Sequence, residues 1–429
     1  MAHRAGGAGW RCRTCQLAFD GPQDHEGKRL EYKIKVSAWY PNMDPQTLFT
    51  TVQDLAPSIT ARAAEIEAAR ELPEDLLRDL IAAGCFRMFV PQSHGGLETD
   101  LPSGLEILEA LARADGSTGW TVMIGAEGVM LLALLPRHRF DALYADGPDL
   151  LGAGSFTPGG EAKVIDGGFE VSGRWPFASG CLHGKWLVAN CVVTANGHPR
   201  PGPALGVPET RFVVFRTEQA QILDTWFVAG LRGTGSNDIA VEKIRVAHDD
   251  TFDRFAGTPS VPGPLYICAT PQFSFHVASV GLGIAQHAID DIIALATGQK
   301  RRLFAAAALA DTPVFQHDLA RAETGLKAAR ALLRSEAESF WAGLSSGLIP
   351  NPAEQVRCSA TGAWVVSTAA AVVDVCYKAG GGTALYDSSP LQRHLRDIHT
   401  LTQHISVAEG WLTRAGAFLV GKDPGFGVA

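Results

Sequence analysis

Charge is scarce in this chain: Asp, Glu, Lys and Arg make up 19% of its 429 residues, and no segment gathers basic residues. Acids exceed bases, giving a formal net charge of -8, so the chain lacks the positive field that draws proteins to nucleic acid or anionic membranes. No apolar run approaches the ~20 residues needed to cross a bilayer, and the N-terminus lacks the apolar stretch of a secretory signal. The expectation is a cytoplasmic protein with neither a nucleic-acid nor a membrane partner. There is no Walker loop, no HExxH and no GxSxG, which removes support for phosphoryl transfer, zinc proteolysis and serine hydrolysis. The eight cysteines are scattered apart from Cys12 and Cys15, the pattern of reduced thiols and not of a disulfide framework. That pair has metal-ligand spacing, but no second CxxC or histidine pair follows to complete a site.

What the chain does have is 46% hydrophobic residues and a length that calls for two or three packed subdomains. Residues 1–42 show no sustained period and read as a disordered extension. A helical domain is expected over 43–149. Its apolar residues Leu48, Val52, Leu55, Ile59 and Ile66 recur at helical steps, and Pro73, Glu74 and Asp75 open a further helix. Over 150–250 the pattern changes to short strands, Trp186 to Val193, Arg211 to Arg216 and Ile239 to Val246, separated by turn residues. A proline-rich linker from Thr258 to Pro264 leads to helices over 264–425: Phe273 to Thr297, Pro313 to Ser345, Glu354 to Ala379 and Leu391 to Leu419. The class is α+β, in the order α, β, α, the strands forming a barrel or sandwich and the last helices a four-helix bundle.

The segment from Gly173 to Trp186, GRWPFASGCLHGKW, sets one hydroxyl, Ser179, among aromatics and glycines. It follows the alternating run Ala162 to Ser172, whose Asp-Gly-Gly centre predicts a hairpin. Backbone and hydroxyl so placed suit a flat ring, although Ser179 as a plain turn residue ahead of Gly180 explains the same letters.

Several spaced strings resemble the acyl-CoA dehydrogenase superfamily from Asp44 onward. They are VPQSHGG at Val90 to Gly96, GRWPFASG, GLRGTGSNDIAVEKIRV at Gly230 to Val246, RRLF at Arg301 to Phe304, AGGG at Ala379 to Gly382 and LQRHLRDIHTLTQH at Leu391 to His404. The resemblance implies an acyl-CoA dehydrogenase-like fold and a flavin site. Phe177 and Ser179 fall on its flavin strand beside Trp175, with Ser179 as the hydroxyl partner of flavin N5. Ser236 and Arg232 belong to the second flavin segment and Arg396 to the last helix near the cofactor; Arg232 and Arg301 are the phosphate partners, and Arg301 with the loop of Gly380 and Gly381 would reach the flavin of a neighbouring subunit of a homotetramer. Bidentate guanidinium groups suit phosphate; for the glycines a helix C-cap is the plainer explanation.

The dehydrogenases of that family use a glutamate base. Here Gln403, His404 and Ile405 stand at one of its two places, and no acid lies between Arg254 and Ile289 at the other. With His404 in that position the chain resembles the flavin-dependent monooxygenase branch, which includes oxygenases of p-hydroxyphenylacetate, hydroxysteroid intermediates, indole and dibenzothiophene. The resemblance implies the oxygenase component of a two-component monooxygenase. Reduced flavin (FMNH2 or FADH2) comes from a separate NAD(P)H:flavin reductase, O2 forms a C4a-(hydro)peroxyflavin, and a small aromatic or heteroaromatic substrate is hydroxylated. His404, titrating near neutrality, suits proton transfer at the peroxide or a phenol. His399, five residues earlier, would point about 140° away on a regular helix and reads as structural or flavin-adjacent. His94 and Trp120 are candidate substrate contacts, with a turn-stabilising histidine and a core tryptophan as the alternatives. Two other functions stay open: a dehydrogenase or nitroalkane-type oxidase with another base, and a non-catalytic flavin-binding homologue.

Overall fold

The computed structural model describes residues 43–202, 206–298, 300–301 and 306–422; the Cys12–Cys15 pair lies outside them. Six helices come first: α1 (Pro45–Ala61), α2 (Ala63–Ala69), α3 (Glu74–Ala82), α4 (Leu101–Ala114), α5 (Gly116–Leu132) and α6 (Arg137–Leu143). Local chemistry starts them. Asp44, Asp100 and Asp115 cap α1, α4 and α5 by accepting from backbone N–H groups of the first turn. Pro73 stands just outside α3, as its N-cap, with Glu74 and Asp75 in the first turn where the helix dipole favours acids.

The strands follow as β1 (Gly152–Ile165), β2 (Gly168–Trp175), β3 (Trp186–Ala195), β4 (His198–Pro199), β5 (Thr210–Arg216), β6 (Gln221–Leu223), β7 (Asp238–Ala247) and β8 (Thr251–Phe252). The expected hairpin is β1 with β2, turning at Asp166 and Gly167. All strands belong to one sheet of order β6-β7-β2-β1-β3-β5-β8, with β4 beside β3. This open sheet replaces the expected barrel or sandwich: its path ends at the short strands β6 and β8, which do not pair with each other. Only β1 and β3 run parallel. Phe169, Val171 and Trp175 of β2 face a core shared with Leu187, Ala189, Val213 and Ile239. Trp175 donates to the carbonyl of Asn190 at 2.6 Å, and its ring lies where a side chain on Gly160 would go, 2.1 Å from the position of an added Cβ.

The remaining helices are α7 (Ala269–Thr297), α8 (Pro313–Ser345), α9 (Pro352–Gly380), α10 (Pro390–Leu401) and α11 (Gly410–Leu419). α7 packs against α9 and α4, so N- and C-terminal helices share one hydrophobic core while the sheet keeps its own. α7 and α9 are long and apolar enough to span a bilayer, but their most apolar windows are 67% and 61% buried within the protein. The bundle's last member is not the single helix expected over Leu391 to Leu419. It breaks after Leu401 into a short 3-10 turn, Ile405–Val407, before α11 begins.

One close approach locks the domains together. Gly230, midway along the β6–β7 connection, lies flush on α10, and a Cβ there would stand 2.1 Å from the Arg396 carbonyl. Gly230→Ala is therefore expected to cost roughly 1–3 kcal/mol of stability through overpacking. Gly325→Ala, in the interior of α8 where an added Cβ meets nothing within 4 Å, is expected to gain up to about 1 kcal/mol from helix propensity. Urea unfolding of the two variants checks the opposite signs.

Candidate flavin and oxygen site

Two of the sequence strings meet at the edge of the sheet. β2 ends at Trp175, and Phe177 turns the chain in the left-handed region with φ 64°, a conformation that costs a non-glycine residue about 1–2 kcal/mol. Backbone pairing holds it there. Ala178 N–H donates to Asn237 O at 3.1 Å, and Gly180 N–H to Thr234 O at 3.0 Å. The Asn237 side-chain oxygen accepts from the N–H groups of Thr225 and Trp226, each at 3.0 Å, which draws in the third loop.

Inside this junction runs a chain of hydroxyls whose direction is fixed by its ends. Thr234 Oγ1 donates to the Leu231 carbonyl at 2.8 Å, having no second proton to give. Ser236 must then donate to Thr234 at 2.7 Å, and Ser179 to Ser236 at 2.7 Å. The Ser179 oxygen is left to accept, and Trp120 Nε1 donates to it at 3.1 Å. Ser179, Ser236, Thr234 and Trp120 are all buried. Ser179 is thus one link in a polarised series, not an isolated turn hydroxyl.

On the other side of Trp120 stands His404, its ring edge-on to the indole with centroids 5.2 Å apart. Because α10 stops at Leu401, His404 projects from a turn, and the angular argument for a continuous helix does not apply. The turn is pinned twice: Ser274 Oγ of α7 donates to Ser406 O at 2.7 Å, and Trp411 Nε1 donates to Ile405 O at 2.9 Å. The Ser406 N–H points at His404 Nδ1 from 3.4 Å, which assigns the neutral ring's proton to Nε2. Burial, helped by the nearby Arg254 charge, lowers the imidazole pKa to about 4. His404 is therefore uncharged at neutral pH. His399 stays on α10, half exposed and 2.9 Å from Asp374, away from this cluster.

The surface beside the hydroxyl chain fits a planar cofactor. Phe177 is 63% exposed although its backbone is strained and fixed, and its ring meets Trp226 edge-on at 6.3 Å. Leu182 is also exposed nearby, and the Thr121 hydroxyl is buried without a hydrogen-bond partner. A rigid, uncovered aromatic next to a polarised hydroxyl offers a stacking face and, when the Ser179 proton turns from Ser236, a donor to a flat heterocycle.

Other expected site residues have different surroundings. Trp175 is wholly buried on the inward face of β2, so strand alternation gives it to the sheet core and it offers no face to a cofactor. His94 has both ring nitrogens engaged, Nε2 with Asp141 at 2.9 Å and Nδ1 with Ser93 at 3.0 Å, and packs on Phe140 and Tyr144. It is the turn-stabilising histidine of the two alternatives and leaves no nitrogen for substrate. Arg396 donates to Ala229 O at 2.7 Å and pairs with Glu67 at 2.5 Å. Arg232 donates to Val228 O at 2.8 Å, with Glu67 3.8 Å away. Both brace the loop before β7. Arg301 is exposed, and the rest of its string, Arg302 to Phe304, lies outside the described residues. Gly380 closes α9 and Gly381, with φ 59°, follows as its cap.

Three residues that sequence reasoning passed over lie near Trp120 and His404. Glu127 sits seven residues beyond Trp120 on α5, hence on the same helical face. It is paired at 2.8 Å with Nδ1 of the fully buried His276 on α7, and burial raises its pKa. Arg254 lies close enough for its charge to be felt by both Glu127 and His404. The signal for Glu127 was present, as a lone acid in an otherwise apolar helix. Its partner is 149 positions away.

The loop carrying Ser236 is tied to the bundle by Asp397, which accepts from Leu231 N–H at 2.6 Å. Burial first, then the neighbouring Asp115, raises the Asp397 pKa to about 7, against the pull of Arg393 and Arg396. The folded protein keeps this proton to a higher pH than the unfolded chain, which loses it near 4. Stability is thus fully present at low pH and is lost as pH rises toward 7. Asp397→Asn keeps the acceptor for Leu231 but does not titrate. Its stability relative to the native protein, from urea unfolding, is expected to increase from pH 5 to 7 by up to about 1.4 kcal/mol per pH unit; parallel curves would refute the assignment.

Residues 44–136 match the acyl-CoA dehydrogenase N-terminal domain and 275–409 the acyl-CoA dehydrogenase C-terminal domain. The chain is 35% identical to an indole-3-acetate monooxygenase of Pseudomonas putida, over 85% of this chain and 91% of that protein. It is 30% identical to the flavin-dependent monooxygenase oxygenase subunit HsaA of Mycobacterium tuberculosis, over 84% and 92%. The crystal structure of the M. tuberculosis HsaA monooxygenase superposes with a TM-score of 0.80 at 27% identity, covering 89% of this chain and 99% of that one. By the two domains it matches and its similarity to these oxygenases over most of its length, the chain belongs to the flavin-dependent monooxygenase branch of the acyl-CoA dehydrogenase superfamily.

Proposed function

We propose that this protein is the oxygenase component of a two-component system that uses reduced flavin and O2 to hydroxylate a small aromatic substrate. The observation that carries the reading is the row Ser179, Trp120, His404, in which one buried indole joins the hydroxyl chain to a neutral imidazole. Phe177, Ser179 and Ser236 would hold the flavin, with Trp120 and His404 behind it. When bound, reduced flavin supplies the electrons that activate O2 and passes one oxygen atom to the substrate.

The protein's own groups manage protons and water. The Ser179 hydroxyl can turn to hold a proton at a ring nitrogen, or swing back to Ser236 and accept one instead. Trp120 keeps Ser179 Oγ loaded from behind. His404, neutral, presents its Nε2–H as a hydrogen-bond donor to an oxygen of the reactants. The buried, largely apolar faces of α5 and α7 exclude water from these steps.

The substrate named for the Pseudomonas putida relative, indole-3-acetate, supports a planar ring as the group hydroxylated here. The oxygenase-subunit name of the mycobacterial relative supports a separate NAD(P)H:flavin reductase as partner. A homotetramer in the cytoplasm, with Arg301, Gly380 and Gly381 reaching a neighbour's flavin and Arg232 and Arg396 bracing the loop beside it, completes the proposal; FMN and FAD both remain candidate cofactors. Glu127 is engaged by His276, which speaks against its serving as the base of dehydrogenase-type carbon-acid chemistry.

Reduced flavin with 18O-labelled O2 and an aromatic substrate should yield labelled phenol, and failure to label any accepted substrate would end the oxygenase reading. His404→Ala is expected to lower product formation by about 10²-fold or more, with H2O2 released in its place. Ser179→Ala should likewise shift oxygen consumption from product to H2O2. Because His404 stays neutral down to about pH 4, coupling should be flat from pH 8 to 6 and fall only as the solution approaches that value. A limb centred at the ordinary histidine value near 6.5 would contradict the assignment.

A further inference from the structure

The proposed oxygenase site does not use its most expensive group. Arg254 follows β8, and its guanidinium lies over the ring of Phe156 at 4.5 Å, with Phe273 at 5.7 Å and Phe255 at 5.8 Å. Its one hydrogen bond among the described residues goes from Nη2 to Thr270 Oγ1 at 3.2 Å. No carboxylate of the described residues comes within ion-pair distance, whereas Arg62, Arg70, Arg113, Arg174 and Arg330 all have one. Removal from water lowers its pKa to about 10. A cation desolvated among aromatic rings without a counter-ion is costly to the fold. None of its remaining N–H groups is among the sealed, unpartnered atoms of the core, so its fork is open to a ligand.

Position says which ligand. The Phe156 ring packs at 6.0 Å on Phe273 of α7, and that helix also fixes the His404 turn through Ser274. Arg254 therefore lies against α7 and close enough to His404 and Glu127 for its charge to reach both. We propose that Arg254 anchors a carboxylate carried on a short arm from the aromatic ring of the substrate, so that the enzyme takes arylacetate-type acids with the ring presented toward Trp120 and His404. The guanidinium fork matches a planar carboxylate in bidentate fashion. A single cation with the acid Glu127 nearby suits a monoanion and would leave a phosphate's second charge uncompensated. Glu127 is itself turned to His276, so it does not consume the Arg254 charge by direct pairing.

The anchor also reaches the chemistry. The Arg254 charge helps to hold His404 below its ordinary pKa; a substrate carboxylate on Arg254 cancels that charge and lets the imidazole take up a proton more readily.

This inference rests on the oxygenase reading, and its test needs no turnover. The full chain with reduced FMN is titrated anaerobically with indole-3-acetate, 3-methylindole and tryptamine, which share a ring and differ in the arm. Indole-3-acetate should bind at least about tenfold tighter than 3-methylindole, as expected for a desolvated charge pair, and tryptamine more weakly than either. In Arg254→Gln the ratio of the two affinities should fall to near one, while Arg254→Lys keeps part of it; the ratio cancels any general loss of fold. At pH 5, binding of indole-3-acetate should be accompanied by proton uptake that Arg254→Gln abolishes. An unchanged ratio in Arg254→Gln, a preference for tryptamine, or no detectable binding of the acid would each overturn the proposal. If the native protein prefers the acid but never transfers oxygen, the oxygenase reading fails while the anchor stands.

Discussion

One buried hydrogen bond, from Leu231 N–H to the Asp397 carboxylate, holds the sheet domain to the helical bundle at the point where the site is made. Leu231 belongs to the loop that supplies Thr234, Ser236 and Asn237, and Asp397 to the helix that leads to His404. Gly230 allows the two backbones to touch, and Asp115, close enough to raise the Asp397 pKa, caps the helix that carries Trp120. Each side chain in the row Ser179, Trp120, His404 comes from a different domain, so their registry depends on this junction. A buried carboxylate is an expensive clamp, but it has more acceptor capacity than a neutral side chain of its size.

The polarity of the hydroxyl chain follows from the same loop. The Leu231 carbonyl is the terminal acceptor, and every proton upstream points toward it. A cofactor nitrogen laid against Ser179 would meet a hydroxyl already committed to a direction, and changing that direction disturbs two serines and a threonine together. Such coupling gives the site a small number of discrete proton arrangements instead of a continuum.

Much of this was legible in the sequence, because the informative residues are neighbours in it. GRWPFASG and GLRGTGSN each compress a turn, a positive φ and a hydroxyl into eight residues, and the structure brings their Ser179 and Ser236 together. The same string misled at Trp175: aromatic character does not say on which side of a strand a ring falls, and alternation along β2 sends it to the core. Position 404 could be found, but the helix break before it could not. The sequence TLTQHISVAE contains neither proline nor glycine, and the turn is imposed by tertiary bonds from Ser274 and Trp411. Arg254, Glu127 and His276 were invisible as a group because they lie far apart in the sequence and only the folded chain makes them neighbours.

The break between α10 and α11 bears on how such a site can change over time. A side chain on a continuous helix is fixed in direction by its neighbours every turn, and altering its reach means repacking a bundle. His404 hangs on an eight-residue bridge, 402–409, whose anchors are backbone carbonyls, indifferent to the identity of the side chains they belong to. The residue at this place can therefore be exchanged, or the bridge lengthened by one, without a cost to the helices on either side. A scaffold with one such replaceable corner is free to trade one reaction for another while its core stays as it is.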